Sequence, residues 1–370
     1  MPEEIFPRFE QSEEHETEED TEAGRSTGWP ELHENETNTE AGESEGITTV
    51  VEIDLTRHGK KESQVRGPED YKVHLNTLGK TQALDKAIKM GEMTEVMAKG
   101  SPRVRARETA GITALSQEIM QELGASTEEI DALLTKLLAK EELNEAEKTL
   151  AGKIDGLSLE GLEEKFTIRY DFEGIDWIES DDRLDFQADA GPVAKKENEV
   201  FAAGNLMPWF VNESDQMALD EHDKDAMSYS MLAANVADIL LGYTETSSEL
   251  NRFVKSNPEQ YSSISKDGSY NFRRIFGTHA SVGESFMLKV VGMTKGAEAR
   301  DELCEKVKAG FKEAEGFKFT ITDDGKEKII KMTLPERLAF EDGSEIIVTE
   351  DILKDIIKQS EDLKAEINKE

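Results

Sequence analysis

The sequence of 370 residues has one cysteine, Cys304. That excludes an intrachain disulfide and a Cys-rich zinc site, and it suits a reducing compartment. No apolar run approaches the roughly 20 residues that crossing a bilayer requires. The opening MPEEIFPRFEQSEEHE has neither the basic segment nor the apolar segment of a signal peptide. Basic residues are scarce as well, with 44 Lys+Arg against 80 Asp+Glu and a net charge of −36. Nucleic acid and anionic lipid are bound through a local excess of Lys and Arg, so neither is expected as a partner. These shortages point to a soluble, cytoplasmic, acidic protein, long enough for one large domain or two ordinary ones. There is no internal repeat.

What is present begins with an acidic stretch. Residues 1–48 hold 16 Asp+Glu and 2 Arg, a net of −14. So few apolar groups and so much like charge cannot offset the entropy of ordering. A disordered tail is expected there, with a partner-binding acidic arm as the alternative. Residues 49–370 read as one α/β domain. Ile47–Thr56 is rich in β-branched residues and reads as a buried strand delivering Arg57 and His58 at its end. Thr77 is a candidate N-cap for a helix with Leu84, Ala87 and Ile88 on one face. A short strand near 95–100 leads to Pro102, which suits the first turn of another helix. Strand–helix–strand–helix order predicts a parallel sheet with crossover helices. Residues 112–161 are helical and charged, with Leu133, Leu134, Leu137 and Leu138 as one apolar face, and read as an insertion beside the mouth of the site. The stretch 165–211 reads as irregular and 226–241 as an apolar helix. Phe272–His279 is a strand ending in a second histidine. Asp324-Gly325 and Asp342-Gly343 mark hairpins, and a last helix starts near Glu350.

The chemistry concentrates at strand ends. In open α/β sheets ligands bind at the carboxyl ends of strands. Thr56-Arg57-His58-Gly59 occupies one such end and Gly277-Thr278-His279 another. Between them Ser101-Pro102-Arg103-Val104-Arg105-Ala106-Arg107 puts arginines at a helix start, where free N–H groups and the dipole attract anions. Guanidinium groups add bidentate recognition of phosphate oxygens. Two imidazoles and two or more guanidiniums make a phosphate site inside a very acidic chain. Arg105 is expected to face it, with Arg103 and Arg107 as solvated helix charges.

Leu55-Thr-Arg-His-Gly59, Leu78-Gly79, Ser101-Pro-x-x-Arg-Ala-x-x-Thr-Ala110 and Gly277-Thr-His279 together resemble the histidine phosphatase superfamily, in its phosphoglycerate-mutase-like branch. The likeness spans roughly residues 50–292. It implies a three-layer α/β sandwich with a mostly parallel central sheet, here with a helical insertion and C-terminal hairpins. It also implies a histidine acid-type phosphatase, with His58 as the nucleophile and Arg57, Arg105 and His279 holding the phosphoryl oxygens. The general acid is implied at Asp171, in Arg169-Tyr-Asp171-Phe-Glu173-Gly174-Ile-Asp176-Trp177, with Glu173 and Asp176 as runners-up. No cofactor or metal is called for: an imidazole nitrogen attacks phosphorus, and the cations neutralise its equatorial oxygens.

The chain also departs from that pattern. After Arg-His-Gly it reads Lys60-Lys61-Glu62-Ser63-Gln64, where an acidic or small residue and then an asparagine are usual. Gln64 is a candidate replacement for that asparagine as a phosphate donor, and Lys61, or Lys60, a candidate substrate-binding cation. The basic cluster of true phosphoglycerate mutases after the acid is missing, which favours hydrolysis of a small-molecule phosphomonoester or phosphoprotein over mutase activity. A catalytically degenerate phosphate-binding scaffold is the third reading. The substrate's identity and the oligomeric state are not written in the sequence.

Overall fold

A computed structural model describes residues 47–63, 67–91, 96–170, 177–186, 191–259, 261, 265–266 and 268–369. The acidic stretch up to residue 46, Gln64, and Asp171 with Glu173 and Asp176 lie outside the described residues. In chain order the elements are β1 (Thr48–Arg57), α1 (Thr77–Met90), β2 (Val96–Gly100), α2 (Val104–Ala114), α3 (Ser116–Leu123), α4 (Thr127–Ala139), α5 (Glu145–Asp155) and α6 (Leu159–Tyr170). Then come β3 (Ile178–Ser180), α7 (Pro192–Ala202), α8 (Leu206–Trp209), α9 (Asp215–Asp220), α10 (Tyr229–Ser256), β4 (Ser265–Lys266) and β5 (Ser269–Thr278). The chain closes with α11 (Val282–Lys295), α12 (Ala297–Lys306), β6 (Gly316–Asp323), β7 (Lys328–Thr333), β8 (Glu345–Val348) and α13 (Glu350–Ile367).

The sheet runs β3-β2-β5-β1-β6-β7-β8, with β4 paired to β5. Strands β3, β2, β5 and β1 are mutually parallel, while β6, β7 and β8 add antiparallel strands beside β1. This is the expected three-layer α/β architecture. The register sets Arg57 beside Thr278 and Gly100 beside Gly277. The ends of β1, β5 and β2 therefore form one level edge, from which His58, His279 and Ser101 emerge.

Alternation along β1 sends successive side chains to opposite faces. Val51, Ile53 and Leu55 are fully buried. Gly283 of α11 lies against Leu55, and Phe286 of the same helix packs on Phe317 and Phe319 of β6. The other face carries Thr56, whose hydroxyl meets Lys86 of α1. On that side α1 and α2 share an apolar core with the inserted helices, through Leu84, Ile112, Ile130, Leu133, Ile154, Leu162 and Phe166. Each such fully buried side chain contributes roughly 1.5–3 kcal/mol. The insertion thus extends the core, and Asp155 at the end of α5 binds Thr77 (2.6 Å) and Lys80 (2.6 Å) at the start of α1, on the edge that carries His58.

Several local expectations need correction. The N-cap of α1 is Asn76, whose side chain accepts from the Gly79 N–H, and not Thr77. Pro102 precedes α2, which starts at Val104. Leu138 is 56% exposed: it continues the stripe of Ile130, Leu133 and Leu134 but lies in the last turn of α4, beyond the buried part of the helix. The stretch 165–211, expected to be irregular, holds the end of α6, β3, α7 and α8; these elements are short and charged, so their periodicity is faint in sequence. The apolar helix at 226–241 runs on to Ser256 in α10. Asp324-Gly325 does turn β6 into β7. Asp342-Gly343 instead makes a tight turn inside the longer link from β7 to β8, where Phe340 and Gly343 exchange backbone hydrogen bonds at 3.0 Å.

Candidate active site

Two close backbone approaches assemble the site. A Cβ on Gly59 would sit 2.4 Å from the Gly79 carbonyl oxygen, and one on Gly79 would sit 2.1 Å from that of Lys60. The start of α1 can therefore press against the loop after His58 only because both positions are glycine. Likewise a Cβ on Gly277 would fall 2.0 Å from the Ala106 carbonyl oxygen. Glycine there lets α2 lie directly on the end of β5, and this brings Arg105 to the two histidines.

His58 is 8% exposed and His279 is 2% exposed. Their ring centroids are 5.0 Å apart at an interplanar angle of 61°. His58 Nδ1 lies 2.6 Å from the Gly59 carbonyl oxygen, which can only accept, so the proton is on Nδ1 and Nε2 carries the lone pair. Arg105 Nε donates to that lone pair at 3.2 Å. Burial, then the neighbouring Arg105, with Arg57 and Lys61 further off, hold His58 well below the ordinary imidazole pKa. Burial and Arg105 do the same for His279, with His58, Arg103 and Arg57 adding to it. Both rings are neutral at pH 7. His279 Nε2 is 2.6 Å from Ser101 Oγ, while its Nδ1 is buried without a hydrogen-bond partner among the described residues.

Arg105 Nη1 donates to the Asp70 carbonyl (2.7 Å) and Nη2 to its carboxylate (2.8 Å). Lys61 Nζ reaches the same carboxylate at 2.8 Å, so this expected cation is present but already paired. Lys60 turns away to Glu313. Arg57 Nη1 donates to the Phe311 carbonyl, and its Nε is buried with no hydrogen-bond partner among the described residues.

Thus Arg57, His58, Lys61, Arg105 and His279 lie at one strand edge. Arg103 does not fit its expectation. It is 1% exposed, not solvated, because it is the extended N-cap of α2 and therefore lies off the helix surface. Its guanidinium meets Asp70 (2.5 Å) and Asp185 (2.8 Å), with Tyr71 at 4.3 Å and Phe186 at 4.4 Å on its faces. Asp185 Oδ1 is also 3.5 Å from His279 Nε2. Sequence reasoning missed Ser101, Asp70, Asp185 and Glu197 in roles of their own. Only Ser101, inside a quoted motif, carried any signal; the other three sit in polar stretches without periodicity.

Glu197 of α7 is buried against Ser281, whose Oγ lies 3.1 Å from Oε1 and also contacts the Ala280 carbonyl. The Ser281 hydroxyl donates to the Glu197 carboxyl and shares its proton with the Ala280 carbonyl, so it only partly offsets the cost of burying charge on Glu197. Burial accordingly pushes the Glu197 carboxyl up to about 8. The residues flanking the segment that contains Asp171 are described. Tyr170 donates to the Val96 carbonyl at the beginning of β2 and stacks on Trp177. Both therefore sit at the end of β2 opposite Ser101.

Among the described residues, no group of three or more His, Cys, Asp or Glu side chains is arranged to hold a metal ion. No described helix is long and apolar enough to cross a membrane.

Fold and site together define a three-layer α/β protein with two neutral histidines and a cluster of cations at the carboxyl edge of its parallel strands, and in this it resembles the phosphoglycerate-mutase-like histidine phosphatases. No protein-family profile matches the chain, and neither does any curated protein. Solved structures similar to it include a phosphoglycerate mutase from Bacillus anthracis str. Sterne, at 12% identity and TM-score 0.37, covering 84% of this chain and 97% of that one. Another, titled Mycobacterial hydrolase 2, is 13% identical with TM-score 0.33, covering 84% and 97%. A mycobacterial glucosyl-3-phosphoglycerate phosphatase is 13% identical with TM-score 0.32, covering 74% and 90%. Similarity at this level decides nothing about activity, which rests on the side chains.

Proposed function

We propose that the chain is a phosphomonoesterase working through a phosphohistidine on His58. The observation that carries this is the state of the His58 ring: Nδ1–H is tied to Gly59, which leaves the Nε2 lone pair under Arg105. A phosphoryl oxygen takes over the Arg105 Nε–H, which frees Nε2 for in-line attack. The ester P–O bond breaks as the P–N bond forms, and the departing alkoxide takes a proton from an acid. Water then attacks phosphorus, its proton returns to the same group, and phosphate leaves. The acid implied by the resemblance is Asp171, although its described neighbours Tyr170 and Trp177 sit at the end of β2 opposite Ser101.

Charge balance supports an anionic ligand. Lys61, Arg103 and Arg105 share the carboxylates of Asp70 and Asp185, while both histidines and Glu197 are neutral, so one positive charge remains uncompensated there. Arg57 stands beside the buried Glu284, whose carboxyl burial pushes up to about 7. In such surroundings preorganised cations stabilise equatorial phosphoryl oxygens far better than water does.

The test is metal-free turnover of an aryl phosphate, with trapping of an acid-labile, alkali-stable phosphoenzyme. His58→Ala should remove both, and Asp171→Asn should slow esters with poor leaving groups most. Full turnover by His58→Ala would refute the mechanism. Interconversion of 3-phosphoglycerate dependent on a bisphosphate primer would make the chain a mutase, and orthophosphate binding without turnover would make it a scaffold.

A further inference from the structure

Asp70 holds more of the site together than any other side chain. It is 4% exposed, on the 3₁₀ turn Gly67–Lys72, and its carboxylate receives Lys61 Nζ on Oδ1 and both Arg103 and Arg105 on Oδ2. Its carbonyl takes Arg105 Nη1 as well. Arg105 is thus gripped along its outer edge by one residue, and its Nε is left pointing at His58. Burial opposes the charge on Asp70, but Lys61 and Arg105 more than offset it and hold the carboxyl below its usual range.

Asp70 is itself anchored. Two Asp-aromatic pairs, Asp70-Tyr71 and Asp185-Phe186, enclose Arg103, each supplying a carboxylate to an edge and a ring to a face. The backbone N–H of Phe186 returns to Asp185 at 2.9 Å, and Thr278, next to His279, donates to the Leu184 carbonyl at 2.8 Å. A chain of contacts therefore runs from the His279 strand end through Asp185, Arg103 and Asp70 to Arg105 and His58.

From this geometry we propose that Asp70 is a positioning residue for phosphoryl transfer, fixing the Arg105 guanidinium so that its Nε–H meets the transferring phosphoryl group when it leaves His58. The inference rests on the phosphohistidine reading. Because Asp70 grips Nη1 and Nη2, it keeps its bonds when the dianion displaces the His58 contact. It does not compete with the substrate for the Nε–H.

Asp70→Asn keeps the shape and removes the charge. Its kcat should fall about 10–100-fold, as on loss of a residue that orients a site ligand, with KM changed much less. Orthovanadate, which can adopt the trigonal-bipyramidal geometry of transfer, should lose more affinity than orthophosphate. In the ligand-free full chain the Arg105 Nε–H resonance, assigned through Arg105→Lys, should exchange faster in Asp70→Asn at temperatures well below its Tm. Tighter orthophosphate binding by Asp70→Asn would show that the carboxylate competes with the ligand and would overturn the proposal. So would an unchanged vanadate-to-phosphate ratio with an unchanged Arg105 resonance. Should Asp70→Asn not fold, Asp70→Glu keeps the charge but shifts it by a methylene; lowered vanadate affinity supports positioning and unaltered affinity refutes it. A wild-type chain with neither turnover nor phosphoenzyme but an Arg105 resonance sensitive to Asp70 would sink the phosphatase reading alone. Wild-type turnover with no effect of Asp70 on either readout would sink the inference alone.

Discussion

Ser101 Oγ lies 2.6 Å from His279 Nε2, and the same hydroxyl oxygen accepts the Arg103 backbone N–H at 3.3 Å. A phosphoryl oxygen can only accept from His279, and donation to it through the buried Nδ1 requires the proton on that atom. Ser101 donating to Nε2 is the arrangement that leaves it there. Ser101→Ala should therefore shift the His279 tautomer, read from imidazole ¹⁵N shifts, and lower kcat/KM by about 10–100-fold, the usual scale for a residue that orients a ligating imidazole. A wild-type tautomer protonated on Nε2 would rule out this role.

Arg105→Ala should lower kcat by about 10²–10³, the scale for deleting one preorganised donor to a developing charge. His58 would also lose its Nε2 partner, and its pKa should rise because a cation beside it is gone. Single-turnover kinetics and an NMR titration of His58 measure the two effects separately. Unchanged kcat/KM would remove Arg105 from the site.

The pH dependence of stability should carry two opposed slopes. His58 and His279 have depressed pKa values in the fold, so below about pH 6.5 the unfolded chain binds protons that the native one refuses, and stability falls as pH falls. Glu197 is raised to about 8, so between its ordinary value near 4.5 and 8 the native chain holds the extra proton, and stability falls as pH rises. Glu284, raised to about 7 by burial, adds to the second slope, and Glu197→Gln removes the part due to Glu197. Relative to wild type the variant should gain stability from pH 5 to about 8 and level off above, by on the order of 4 kcal/mol in all. Denaturant melts across that range check this, and a pH-independent difference would show that Glu197 is ionised in the fold.

Gly277→Ala places a methyl 2.0 Å from the Ala106 carbonyl oxygen. Backbone on both sides cannot yield cheaply, so α2 should lift off β5. We expect a loss of about 1–3 kcal/mol, typical of overpacking, and a larger proportional loss of turnover, since Arg103 and Arg105 travel with α2. Thermal melts paired with kinetics test this; normal activity at lowered Tm would separate packing of α2 from the site.

Much of this was legible because its causes are local. A β-branched run ending in Arg57-His58-Gly59 makes a strand whatever surrounds it, and Gly277 before His279 marks a close approach. The inserted helices were visible through apolar spacing, although Leu138 shows that a run of leucines does not say which of them face inward. The sequence also placed Arg57, His58, Arg105 and His279 at strand ends or a helix start, since side-chain chemistry and chain punctuation coincide there, with Lys61 in the loop after His58.

Composition and local pattern alone determined the acidic character, the α/β order of elements, and the two imidazoles that strand ends bring to the sheet edge. Tertiary structure alone decided their state. Whether Arg103 is solvated or caged, whether Asp70 is a surface charge or the grip on Arg105, and which nitrogen of His58 keeps its lone pair all depend on partners tens to hundreds of positions away. Hydrogen-bond direction, burial and charge pairing are properties of contacts across the fold, and a linear sequence records the groups without recording which of them meet.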